Sequence, residues 1–488
     1  VIKIHPVIRE NTGGNMSTKE IKFGTSGWRG IMSDDFTFGN VKIVVQAIAD
    51  FIKTKDELKG KPVIVGGDAR FLSEKFCETT ACVLAANGIP SLVCDRDTPT
   101  PVISYEIIRR KAAGGINFTA SHNPAEYNGL KFSPSWGGPA TPAETSVIEK
   151  NIKEQTAVNY MEKETAVEKG LIKYFDPKPH YLERLKEIVD FKAIKKSKMK
   201  IVVDPLFATG RGYLDALLIE AGANVKVIND HRDVYFGGFP PEPAEKNVAD
   251  LIAAVKKEKA VLGVATDGDA DRYGIIDSDG SYIPANKILP LLLDYLIKSR
   301  DWPGSVIRSV ATSHMVDAVA KIHKRILHET PVGFKYIGEI MQEEEIVIGG
   351  EESNGLTVHE HIPEKDGIIA CLLVVEMVAK AKKSIKELLK ELEEKTGPFI
   401  NDRKNFRLTD EKMKAIIERL KNGSNDKFGS FDVLELILVD GYKFMLGRDT
   451  WAMIRLSGTE PIVRLYAEAK EKKVLNKILE EGEKFIKS

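Results

Sequence analysis

Four stretches of the chain carry side chains able to do chemistry. The first, TASHNPAEYNGLKF from Thr119 to Phe132, sets Ser121 beside His122 and follows them with Asn-Pro, Asn-Gly and Lys131. Ser121 is either a nucleophile or a hydroxyl that shapes a turn, because Asn-Pro and Asn-Gly both start tight turns and serine bonds nearby backbone. Pro124 lacks an N–H and pushes Asn123 toward extended geometry, which stiffens the loop after the serine. Ala120 and His122 flank the serine, so this is not the glycine-bracketed elbow of hydrolases.

The second stretch, VLGVATDGDADRYGII, alternates Asp267, Asp269 and Asp271 between apolar runs. In an extended loop every second side chain points the same way, so the three carboxylates are expected to converge. Converging carboxylates repel unless a cation lies between them, and oxygen ligands select magnesium, manganese or calcium over zinc. An EF-hand would need glycine where Arg272 stands and glutamate where Ser278 stands. In the third stretch, IGGEESNGLTVHEHIPEKDG, Glu351 and Ser353 suit sugar hydroxyls, Gly355 would let backbone approach a ligand, and Lys365 adds a cation near it. The fourth, WAMIRLSGTEPIVRLYAEA, combines Arg455, Ser457, Gly458, Thr459 and Arg464, the forked donors, hydroxyls and open backbone that a phosphate needs.

The elements that must position these loops alternate. KPVIVGGDARFLSEKF, MKIVVDPLFATGRGYLDALLIEAG and GSVIRSVATSHMVDAVAKI each read as a β-branched strand followed by a helix, the pattern of covered α/β sheets. AAGGINFTA reads as a strand ending at Ser121, the strand end being where α/β folds place ligands. NIKEQTAVNYMEKETAVEKG reads as a polar helical run that closes a first domain. After residue 398 short strands, an Asp440-Gly441 hairpin turn and an amphipathic helix mark a different module. The expected architecture is three related mixed-sheet α/β domains (17–165, 166–277, 278–397) and a smaller α+β domain (398–488) around a central cleft. Residues 1–16 read as a leader of little structure, with Met16 a candidate start.

Lys+Arg and Asp+Glu are equal at 71 each and no long single-sign block occurs, which speaks against a nucleic-acid or membrane-surface partner. Cys77, Cys82, Cys94 and Cys371 form no CxxC pair and no zinc spacing, so they read as reduced, buried thiols of a cytoplasmic protein. The longest apolar run, from Ile368, contains Glu376 and is too short for a bilayer, so it reads as a buried helix.

TASHNP, DGDADR, GEESNG and RLSGTEPIVR, in this order and preceded by FGTSGWRG at Phe23 to Gly30, resemble the signature loops of the α-D-phosphohexomutases from residue 20 to the end. Within that family GEES, HIPEKDG and the GFKY element at Gly333 to Tyr336 are similar to the phosphoglucomutase versions. The resemblance implies a reversible exchange of glucose 1-phosphate and glucose 6-phosphate through a phosphoserine and glucose 1,6-bisphosphate. Phosphomannomutase or dual-specificity activity is the alternative, then phosphoglucosamine mutase or phosphopentomutase. By the same resemblance Ser121 carries the phosphoryl group and, with Asp267, Asp269 and Asp271, binds Mg2+. Arg29, His122, Lys131 and Lys365 surround the reacting phosphate; Arg272, Lys335, Glu351, Ser353 and Asn354 bind the sugar phosphate; Arg455, Ser457, Gly458, Thr459 and Arg464 hold the other phosphate. A fourth domain that hinges over the cleft is implied as well, in a monomer or homodimer whose partner is a hexose phosphate. A mannomutase-type histidine after the sugar loop is missing, since Leu356 follows Gly355 and His359 and His361 lie out of register. Readings from other classes are a metal-dependent phosphatase with an aspartate nucleophile and a silent sugar-phosphate binder.

Overall fold

A computed structural model describes residues 8–11, 21–24, 27–422, 426–456 and 462–488. Its contacts divide the chain into two compact units, one of Val1–Ile283, Gly338–Glu343 and Asn354–Ser384, the other of Pro284–Ile337, Glu344–Ser353 and Ile385–Ser488.

The first unit contains two mixed sheets. One runs in the order Trp28–Ile31, Tyr127–Pro134, Gly114–Phe118, Val63–Gly67, Ser91–Cys94, Ile172–Phe175. Its last four strands are parallel, and Tyr127–Pro134 and Trp28–Ile31 are antiparallel additions. Val63–Gly67 and Gly114–Phe118 are buried along their whole length, which explains their continuous apolar composition. The other sheet has the order Asn224–Val227, Lys200–Asp204, Leu262–Thr266, Tyr273–Asp277, Tyr282–Ile283. Its first three strands are parallel, and an antiparallel hairpin through the aspartate loop follows.

Helix Gly367–Ala381 is the apolar run that was expected to be buried, and Glu376 is buried with it. Asp366 caps its first turn by accepting from the N–H groups of Ile368 and Ile369. Apolar on all sides, the helix must be covered on all sides, and it packs on Leu262–Thr266 and Tyr273–Asp277. That packing draws Asn354–Ser384 into the first unit, although the sequence pattern places these residues with the segment from 278. The run from Asn151 is not one helix: helix Pro142–Glu154 ends, strand Ala157–Tyr160 follows and helix Lys163–Glu168 comes after it. Ile8–Asn11, expected to carry little structure, is the antiparallel partner of that strand and satisfies its backbone groups.

In the second unit Leu327–Thr330, Ser305–Ser309 and Ile346–Glu351 are parallel neighbours. The C-terminal part is an antiparallel sheet in the order Ile400–Arg407, Ile462–Ala469, Thr450–Leu456, Tyr442–Gly447, Glu435–Ile437, covered by the amphipathic helix Lys472–Lys487. Gly441, at φ +106°, turns the chain between the last two of these strands, a conformation that glycine adopts without strain. The four cysteines are free and buried. Among the described residues no helix is long and apolar enough to cross a membrane.

Candidate active site

Ser121 lies three residues past strand Gly114–Phe118, buried and at φ +51°, a left-handed conformation unusual for a residue with a Cβ. Its Oγ donates to Asp267 Oδ2 at 2.9 Å and lies 3.4 Å from His122 Nδ1. Gly268 explains this closeness, since a Cβ there would come within 2.3 Å of the Ser121 carbonyl oxygen.

The aspartate loop is not extended as expected. It is a tight turn with Ala270 at φ +56°, and the turn gathers the carboxylates of Asp267, Asp269 and Asp271 so that their ligand atoms lie within 4.8 Å of one another. All three are buried, and Asp269 Oδ1 and Asp271 Oδ1 have no hydrogen-bond partner. Orphaned, buried carboxylate oxygens facing an all-oxygen donor set fit a hard divalent cation. Burial, then Asp271 and Asp269, push Asp267 well above the usual carboxylate range. Burial also acts to raise Asp271, but Lys131, Lys365 and Arg272 outweigh it and hold this carboxyl below its ordinary value.

Lys131 faces Asn117 across the antiparallel pair, and its Nζ donates to Asp269 Oδ2 at 2.6 Å and Asp271 Oδ2 at 2.9 Å. Lys365 Nζ lies 3.1 Å from Asp271 Oδ2 and 2.9 Å from Glu364 Oε1. Its stem fills the space beside Gly355, where a Cβ would come within 2.3 Å of Lys365 Cδ. The open backbone expected to admit a ligand at Gly355 therefore admits a lysine. Arg29, opposite Gly129 in the sheet, donates to Asn123 Oδ1 at 2.6 Å. Burial and the Arg272 and Arg29 charges push the His122 imidazole well below its usual value, so the ring is neutral near pH 7. Arg272 donates its main-chain N–H to Asp267 Oδ1. Asn354 spends its amide on Tyr273 O and Tyr282 Oη, both at 2.8 Å, which ties its own loop.

The second unit carries the other expected residues. Glu351 ends a buried strand and accepts from the Gly333 N–H at 2.7 Å; Ser353 lies two residues on, half-buried. Lys335 Nζ stands over the Tyr336 ring at 5.2 Å. Arg455 and Arg464 are directly paired across two antiparallel strands. Like charges in that position repel, and Asp440, 2.7 Å from Arg455 Nε, offsets one of them. Ser457, Gly458 and Thr459 lie outside the described residues.

Two contributors were missed in the sequence. Thr100, at the start of helix Thr100–Arg110, donates its hydroxyl to Asp269 Oδ2 and its N–H to the Asp269 carbonyl. Arg70 donates to the main chain of the serine loop. The only signal for it was GGDARF directly after a strand, an aspartate two residues before an arginine at a strand end.

Comparison with known proteins gives the family. Four family descriptions match in order: "Phosphoglucomutase/phosphomannomutase, alpha/beta/alpha domain I" at residues 20–159, domain II at 179–280, domain III at 284–396 and the C-terminal domain at 404–484. A "Phosphoglucomutase/phosphomannomutase" of Thermococcus kodakarensis is 32% identical over 95% of this chain and 98% of its own. A Methanosphaera stadtmanae protein assigned as a phosphoglucosamine mutase is 30% identical over 95% of this chain and 98% of its own. A crystal structure from Thermus thermophilus, assigned as a phosphomannomutase, superposes with a TM-score of 0.84 at 30% identity, covering 96% of this chain and all of that one. An enzyme of the intramolecular phosphotransferase class, acting on hexose phosphates, is what these matches define. The chain belongs to the phosphoglucomutase/phosphomannomutase family, the α-D-phosphohexomutases.

Proposed function

We propose that this phosphohexomutase interconverts glucose 1-phosphate and glucose 6-phosphate, with Ser121 as the phosphoryl carrier and glucose 1,6-bisphosphate as the intermediate. The observation that carries the reading is the buried Ser121 hydroxyl, 2.9 Å from one carboxylate of a three-aspartate cluster. In the first half-reaction the bond from phosphorus to Ser121 Oγ breaks as one forms to the free sugar hydroxyl, whose proton leaves. In the second, the bisphosphate presents its other end: the bond from that phosphorus to the sugar oxygen breaks as one forms to Ser121 Oγ, the Ser121 hydroxyl loses its proton, and the freed sugar oxygen takes one up. Mg2+ held by Asp267, Asp269, Asp271 and an oxygen on Ser121 would supply positive charge to the group in transfer.

The chain's own residues do the rest. Lys131, Lys365, Arg29 and Arg272 add fixed positive charge, and His122, neutral and 3.4 Å from Oγ, is an acceptor for a proton beside Asp267, whose Oδ2 lies at 2.9 Å. Glu351, Ser353 and Lys335 hold the sugar in both orientations, while Arg455, Ser457, Gly458, Thr459 and Arg464 hold the phosphate that is not reacting. Asn354 serves by fixing the sugar loop rather than by touching sugar. Glucose is preferred to mannose on GEES, HIPEKDG and GFKY.

Three measurements test the reading. Ser121→Ala is expected to abolish turnover, and peptide mass analysis of the wild type to find phosphate on Ser121. Retained turnover with net phosphate release would instead favour the phosphatase class. Specificity constants for glucose 1-phosphate, mannose 1-phosphate and glucosamine 1-phosphate rank the sugars, and a higher value for either of the last two defeats the glucose assignment.

A further inference from the structure

Ser121 must be held in its left-handed conformation by something outside itself, because that conformation is strained for a residue with a Cβ. Side chains hold both of its main-chain polar groups. Its N–H donates to Thr119 Oγ1 at 2.8 Å, and its carbonyl accepts from Arg70 Nη2 at 2.8 Å.

Arg70 does this for the whole loop. The guanidinium is 1% exposed and has five N–H donors, all of them engaged. Nη2 also donates to the Asn123 carbonyl at 2.6 Å, and Nη1 donates to the carbonyls of Pro124 at 2.7 Å and Tyr127 at 2.9 Å. Nε donates to Asp68 Oδ2 at 3.1 Å, and the Phe236 ring lies 5.0 Å from Cζ. Asp68 Oδ2 accepts from Thr119 Oγ1 as well, at 2.6 Å, so one carboxylate orients both groups that grip Ser121. Lysine offers three donors around a point, not a planar fork, and cannot reach four carbonyls at once.

We infer that Arg70, oriented by Asp68, is the positioning residue for the phosphoryl-carrying serine: it sets the main chain from Ser121 to Tyr127 so that Oγ faces the aspartate cluster. It acts through the loop and touches neither sugar nor phosphate. The inference rests on the proposed role of Ser121.

The experiment compares Arg70→Lys with Arg232→Lys. Arg232 is similarly tied, to the carbonyls of Ala69 and Arg70 and to Glu74, and makes no bond to the serine loop. In Arg70→Lys, kcat and the rate at which glucose 1,6-bisphosphate phosphorylates Ser121 fall by about 10²-fold, the loss expected from a misplacement near 1 Å. KM for glucose 1-phosphate stays within about threefold, as for a loss felt only in the transition state. Arg232→Lys, which leaves every bond from the Arg70 side chain to the serine loop in place, keeps kcat within about twofold. If Arg70→Lys does not fold by its thermal transition, Asp68→Asn, which keeps the shape and removes the orienting charge, takes its place with the same split. An unchanged kcat, an equal loss in Arg232→Lys, or a loss confined to KM overturns the inference. Absence of Ser121 phosphorylation in the wild type overturns the functional reading and this inference together, whereas failure in the variants alone overturns only this one.

Discussion

Lys131 in the first unit and Lys443 in the second are both buried, yet their surroundings move their charge in opposite directions. Burial acts to lower each. At Lys131 the carboxylates of Asp269 and Asp271 outweigh burial and raise the ammonium above its ordinary value. At Lys443 burial dominates, Arg308 adds repulsion, and the carboxylate in contact with it, Glu329, is shared with Arg308, as is the more distant Asp317, so the group is pushed down to about 8. The number of carboxylates in direct contact, not depth, decides the sign. Lys131 belongs to a site where two buried carboxylate oxygens have no donor, and such oxygens suit a further cation. Lys443 belongs to a closed network: it donates to Val310 O and Glu329 and lies 2.9 Å from His314 Nε2, with no carboxylate to spare.

Removing a carboxylate from the first site should break the contrast most. Asp269→Asn leaves Lys131 with one carboxylate, as Lys443 has, and takes away one of three charged oxygens for the cation. Mg2+ affinity, read by titration calorimetry, is expected to fall by more than the roughly 10–100-fold that loss of an outer partner costs, with kcat falling by a comparable factor. Wild-type affinity in this variant would mean that the cluster is not the cation site.

A smaller effect is expected one bond further out. Thr100→Val keeps the side-chain shape but removes the hydroxyl that donates to Asp269 Oδ2 and accepts from Asn117 Nδ2 at 2.8 Å. Mg2+ affinity should drop by about 10-fold, the lower end of what outer partners contribute, with little change in KM for the sugar phosphate. An effect equal to that of Asp269→Asn would place Thr100 among the ligands rather than behind them.

What the sequence made legible follows from the same distinction between groups that present chemistry and groups that hold them. Ser121 and the three aspartates announce themselves by residue type on loops between apolar runs, Lys131 by its place just after the serine loop, and the strand ending near Ser121 and the buried helix from Gly367 were readable from apolar patterning. Arg70 and Thr100 were not, because they act on main-chain carbonyls and on a carboxylate distant in sequence. The spacing of the aspartates suggested convergence for the wrong reason: a turn, not strand alternation, brings them together. Nor could patterning show that helix Gly367–Ala381 packs with the strands of the aspartate loop, since a helix apolar on every side gives no preferred face. His361 illustrates the opposite case, a histidine near the sugar loop whose Nε2 is bound to Asp366 Oδ2 at 2.7 Å and so serves the helix cap rather than chemistry.

The sharpest test of the contrast is a pH dependence of stability. A lysine whose folded value is about 8, against an ordinary 10.5, releases its proton earlier in the folded protein than in the unfolded chain. Between those two values the unfolded chain binds more protons, so stability rises with pH across this window and the penalty is fully present below about 8. The rise is on the order of 3 kcal/mol if Lys443 acts alone. Lys443→Met keeps a long apolar chain in the buried space and leaves Glu329 its bond to Arg308, so the variant should fold. Other lysines titrate in the same window in both proteins, and the difference between the two denaturation curves isolates Lys443. That difference should grow in favour of the wild type from about pH 8 upward, read from denaturant midpoints. Parallel curves would show that Lys443 keeps its proton as Lys131 does, and that one shared carboxylate suffices where the first site has two.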